Sequence, residues 1–160
     1  MEELNIICID DQREVLNILR NDLDALQGVF HLIQCESAME AGEVLDEIDR
    51  AGAHAVLLIC DQVMPGKTGV LFLSDVQADG RFPHTKKILL TGLATHQDTI
   101  QAINRAAIDA YIEKPWDPEN LLGEVKRLVT KYMVQAGLEY EGCLHVLDQQ
   151  VLYEELRKHG

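Results

Sequence analysis

The chain has 160 residues, 47% of them apolar, and a formal charge of −13, which suits one soluble globular domain with a modest extension. So acidic a surface repels nucleic acid and anionic membranes, and no apolar run approaches the roughly 20 residues that span a bilayer. An acidic start without the basic region of a signal peptide implies a cytoplasmic location, and four cysteines and six histidines without ligand spacing argue against zinc.

Apolar periodicity sets the elements in chain order. Asn5–Ile9 reads as a buried strand, and Val15, Leu16, Leu19 and Leu23 then recur at helical spacing. His31–Cys35 is a weaker strand, followed by a helix over Ala38–Ile48. Val56–Cys60 is a fully apolar strand, Val70–Val76 a helix, Lys87–Leu90 a strand and Ile100–Ala107 a short helix. Ala110–Ile112 is a short strand, and Pro118–Val134 a long helix striped by Leu121, Val125, Leu128 and Tyr132. This alternation predicts an α/β fold, a doubly wound five-stranded parallel sheet covered on both faces. Right-handed crossovers then gather the carboxyl ends of the strands on one rim, where such sheets bind ligands.

Leu138–Gly142 reads as a joint, dividing a domain over residues 1–137 from a helical extension or output linker over 138–160. A helix is expected over Cys143–His159. Tyr140, Leu144, Leu147 and Val151 follow the a/d rhythm of a seam for self-association or a lever. A helix folded onto its own domain is the alternative.

The strand ends carry the chemistry. Asp10 and Asp11 follow the first strand, Asp61 the third, Thr91 the fourth, and Lys114 with Pro115 the fifth. Each has a structural explanation alone; Asp11 with Glu14, for instance, matches a helix capping box. Jointly they do not, because carboxylates about 4 Å apart repel by roughly 4 kcal/mol per pair at an effective dielectric near 20. A compensating cation is needed, and hard oxygen ligands beside open water positions suit Mg²⁺, with Mn²⁺ able to substitute. With Lys114 and Thr91 added, the rim fits a phosphoryl group on Asp61.

Gly66, Lys67 and Thr68 offer a rival, since GKT ends a phosphate-binding P-loop. That motif needs glycine five residues before Gly66, where Asp61 stands. A phosphatase of the haloacid dehalogenase type would need an acid at Val63.

With these motifs the chain resembles the receiver domains of two-component response regulators over about Leu4–Val134. The motifs are Asp10-Asp11, Asp61 with Met64-Pro65 and Gly69, Thr91-Gly92, and Tyr111 through Lys114-Pro115. The resemblance implies a flavodoxin-like sheet of order 2-1-3-4-5. It makes Asp61 the acceptor of a phosphoryl group from a histidine kinase or phosphotransfer protein. Asp10, Asp11, Asp61 and the backbone carbonyl of Val63 would bind Mg²⁺. Thr91, Gly92 and Lys114 would accommodate the phosphoryl oxygens, Thr91 and Tyr111 would act as the switch, and the Lys114–Pro115 bond would be cis. Val63 and Leu93, flanking the water path, would gate hydrolysis and prolong the phosphorylated state. Gln12 departs from the third acidic residue often found after the acidic pair. The output is expected beyond Gly160 in a longer regulator, or else through protein binding by a stand-alone adaptor. A homodimer would form through the 108–134 face or the C-terminal helix, without direct nucleic acid or membrane contact. Beyond self-phosphorylation and slow self-dephosphorylation, no enzymatic activity is expected.

Overall fold

The computed structural model describes residues 2–92 and 104–159. Its elements are β1 (Leu4–Ile9), α1 (Arg13–Asp22), β2 (His31–Cys35), α2 (Ala38–Ala51), β3 (His54–Asp61), α3 (Gly69–Ala78), β4 (Lys86–Thr91), β5 (Ala110–Glu113), α4 (Pro118–Gln135) and α5 (Gln149–His159). The strands form one parallel sheet in the order β2-β1-β3-β4-β5. Strand alternation divides the core in two. Leu4, Ile6 and Cys8 of β1 join Leu16, Leu19, Leu121 and Leu128 on one face. Ile7 and Ile9 join Leu45, Phe72 and Leu73 on the other. With both faces covered, β1 is buried along its whole length, the reason its sequence is an apolar run rather than an alternation.

Local chemistry sets the helix ends. Ser37 caps α2 by accepting from the Glu40 amide, and the helix runs a turn past Ile48 because its first stop is Gly52, at φ 67°. Thr68 caps α3, and Asp117 caps α4 ahead of Pro118. Of the short helix expected over Ile100–Ala107, residues 104–106 are helical, and the expectation for 100–103 lies outside the described residues.

The C-terminal segment differs from the continuous helix expected over Cys143–His159. A 3₁₀ helix spans Glu141–Val146, Leu147 is extended, and α5 begins only after Asp148, whose Oδ1 accepts from the Val151 amide at 3.1 Å. The break lets Cys143, Val146 and Leu147 enter the core beside α4. The Asp148 amide donates to Thr130 Oγ1 at 2.9 Å, and the buried Glu155 carboxylate accepts from Gln135 of α4. Tyr140, Leu144, Leu147 and Val151 therefore do not form one helical seam. Leu147 is buried within its own chain, and Leu144 faces outward.

Candidate functional site

The sheet brings the expected rim together. Asp10 leaves the end of β1 fully buried, Asp61 closes β3 nearly as buried, and Asp11 stays exposed. Oxygens of these three carboxylates lie within 4.8 Å of one another. Lys114 spans two of them, its Nζ 2.8 Å from Asp61 Oδ1 and 2.9 Å from Asp10 Oδ2. Asp10 Oδ1 accepts from the Gln12 amide at 2.8 Å, so Asp10 is held from both sides. The capping-box reading of Asp11 does not hold, because Gln12 is the N-cap of α1 and makes no side-chain cap bond. Asp11 is thereby left on the rim with its carboxylate open.

Burial raises the Asp61 carboxyl above its ordinary value; the Lys114 hydrogen bond opposes this, and the Asp10 charge adds to it. Burial pulls the Lys114 amine down, but hydrogen bonds to Asp61 and Asp10 outweigh it and hold the amine above its usual range. The site is thus a buried anion pair stabilised by one ammonium, with hard oxygens facing an exposed third carboxylate. That donor set fits a small divalent cation such as Mg²⁺.

The loop after Asp61 depends on close backbone approach. A Cβ on Gly69 would collide with the Asp61 carbonyl, so α3 can start against the strand end only through glycine. The Gly69 amide donates to the Gln62 carbonyl at 3.0 Å, and the Gln62 side chain accepts from the Val70 amide at 2.9 Å. GKT is no phosphate cradle: Gly66 turns at φ 86°, Lys67 pairs with Asp75, and Thr68 caps α3.

On the other side, the Thr91 carbonyl accepts from the Lys114 amide at 2.8 Å, and the Lys114–Pro115 peptide is cis. Thr91 is buried, Gly92 exposed, and Tyr111 half-buried against the second core. Val63 is 75% exposed. Leu93 lies outside the described residues.

The sequence matches the response regulator receiver domain over residues 6–126. The chain belongs to this family. It is 31% identical over 150 residues to the hydrogenase transcriptional regulatory protein HoxA of Cupriavidus necator, covering 94% of this chain and 28% of that protein. The response regulator Rre1 of Synechocystis is 27% identical over 98% of this chain and 63% of its own length. This chain thus spans less than two thirds of either relative. Among solved structures, the signal receiver domain of an HD-domain-containing protein from Pseudomonas fluorescens superposes with a TM-score of 0.70 at 27% identity, covering 82% of this chain and 98% of that one.

As a receiver domain of two-component signalling, the chain is a signalling module. Members of the family bind Mg²⁺ in an acidic pocket, and Asp10, Asp11 and Asp61 form such a cluster here. No described helix is long and apolar enough to cross a membrane. Two features escaped the sequence. Gln62 anchors the loop with its side chain, for which a lone glutamine offers no signal. Trp116 Nε1 donates to Asp22 Oδ2 at 2.8 Å, tying the segment after Lys114 to the end of α1. A tryptophan next to a Lys-Pro pair was its only trace.

Proposed function

We propose that this receiver domain is a phosphorylation-controlled switch whose acceptor is Asp61. The observation that carries the reading is the single Lys114 ammonium shared by Asp61 and Asp10, a ready counter-charge for phosphoryl oxygens. The donor is a phosphohistidine on a histidine kinase or phosphotransfer protein. An Asp61 carboxylate oxygen forms the bond to phosphorus as the nitrogen–phosphorus bond breaks, its electron pair returning to the donor imidazole, which takes up a proton. Lys114 Nζ and the Thr91 hydroxyl bind the transferred oxygens, and Gly92 leaves them room.

Asp10, Asp11, Asp61 and the Val63 carbonyl would hold Mg²⁺, whose charge offsets that of the phosphoryl group and the carboxylates. Thr91 and Tyr111 relay the change. A phosphoryl group preferring the active state about 100-fold shifts the equilibrium by roughly 2.7 kcal/mol. Val63, with no hydrogen-bonding side chain on the rim, leaves hydrolytic water unoriented there, so the phosphorylated state persists; Leu93 is assigned the same role.

The size of the curated relatives supports a longer regulator with this domain as its input, residues 138–160 leading toward the output. A homodimer would use what remains exposed on the 108–134 face, or Tyr153 and Leu156 on the outer side of α5.

Acetyl phosphate with Mg²⁺ should label the parent and not Asp61→Asn, with the phosphorylated residue located by mass spectrometry. Lys114→Ala should keep Mg²⁺ binding and lose most labelling. Label that persists in Asp61→Asn would refute the assignment.

A further inference from the structure

A second concave surface lies between α2 and α3. It encloses about 690 Å³, within the range of about 300–1,000 Å³ typical of ligand clefts. Leu45, Phe72 and Val76 form its apolar floor, and Met39, 78% exposed, stands at its mouth. Pro65, Gly66 and Lys67 of the loop after Asp61 line one wall.

Two features distinguish this cleft from an ordinary helix–helix furrow. The first is Gly42, on the α2 wall. Glycine is the poorest helix former after proline, yet a Cβ there would meet nothing within 4 Å. The packing of the chain itself does not require glycine at this position; its effect is to keep the wall open. The second is charge. Among the described residues, Glu43, Asp46, Asp75 and Asp79 line the cleft and Asp49 adjoins it, against two lining cations. Lys67 pairs with Asp75, while Arg81, stacked 5.0 Å over Phe82, is shared among Asp46, Asp49 and Asp79. Glu43 is left as an exposed carboxylate on the rim.

We propose that this cleft is a docking site for a basic amphipathic helix of a partner protein. Apolar side chains spaced by a helical turn would enter over Leu45, Phe72 and Val76, and flanking Lys or Arg side chains would meet the acidic rim, the helix-in-groove mode of recognition. The rim repels nucleic acid, anionic lipid and a second copy of this chain alike. Among the described residues, its carboxylates form no cluster close enough to share one metal ion. The proposal is independent of phosphoryl chemistry, and its test uses none.

The probe is an amphipathic helical peptide of leucine, alanine and lysine, beside a counterpart with glutamate for lysine. Both are titrated into the full ¹⁵N-labelled chain, and binding is read from amide resonances. The lysine peptide should give saturable shifts centred on residues 38–46 and 72–76, weakened by added salt. Gly42→Phe should weaken binding at least about tenfold. Gly123→Phe, on an exposed helical glycine with equally open space, should leave it unchanged. Glu43→Lys, an exposed substitution that leaves the core intact, should weaken it as well. No saturable binding, equal binding of the glutamate peptide, shifts centred elsewhere, or affinity indifferent to both Gly42→Phe and Glu43→Lys would overturn the proposal.

Discussion

Replacing Gly69 by alanine would press directly on the candidate phosphoacceptor. A Cβ at that position would lie 2.2 Å from the Asp61 carbonyl oxygen, 3.0 Å from its carbon and 3.1 Å from Gln62 Cα. All three obstacles are backbone, so no side chain can rotate away. Relief requires the end of β3 and the start of α3 to part by about 1 Å, and insertion of this kind costs about 1–3 kcal/mol. Helix propensity returns little at the first position of α3, so we expect a net loss near 2 kcal/mol and a fall in Tm of roughly 4–8 °C. The same displacement moves the Asp61 carboxylate away from Lys114, and a misplacement of about 1 Å can cost on the order of 10²-fold in rate. Thermal melts by circular dichroism and Mg²⁺-dependent labelling by acetyl phosphate measure the two effects. Gly123→Ala is the control: its Cβ meets nothing within 4 Å, and it should stabilise by about 0.5–1 kcal/mol. If Gly69→Ala melted with the parent and labelled Asp61 at the parent rate, the argument from close approach would be wrong.

Burial, with the Glu2 charge adding, raises the Tyr132 hydroxyl from 10.0 to about 12. The fold thus keeps the phenol proton after the unfolded chain has lost it, and stability that is full below about pH 10 is lost as pH rises toward about 12. Tyr132→Phe should flatten that decline by up to about 2–3 kcal/mol, read as urea midpoints across the window; an unchanged slope would show that Tyr132 does not carry it. Ala107 sits at φ 54°, where a non-glycine residue costs roughly 1–2 kcal/mol. Ala107→Gly should therefore raise Tm, and an unchanged or lower value would mean the left-handed backbone costs nothing there. Ending the chain at Gly137 would remove the buried Cys143, Val146, Leu147 and Leu152 and should cost more than about 3 kcal/mol. Sedimentation and urea unfolding beside the full chain check this, and equal stability would show that the extension does not complete the core.

The strand ends were legible in the sequence because a parallel sheet turns chain order into position. Once Asn5–Ile9, Val56–Cys60, Lys87–Leu90 and Ala110–Ile112 read as strands of one parallel sheet, Asp10, Asp61, Thr91 and Lys114 had to share one rim, whatever the register. The sheet that places them is of the expected order. Three things depended on particular side-chain and backbone contacts, which periodicity does not encode. Asp10 is clamped by the Gln12 amide and Lys114, so it, rather than Asp11, is the buried member of the pair. Gly69 is required by the nearness of Asp61, a distance no local pattern states. The extension showed a heptad-like rhythm, yet the Asp148 cap and Thr130 break its helix and turn Leu147 inward. A short apolar repeat does not say which surface will bury it; Leu147, Val146 and Cys143 are buried in the core beside α4, a surface that only the folded chain presents.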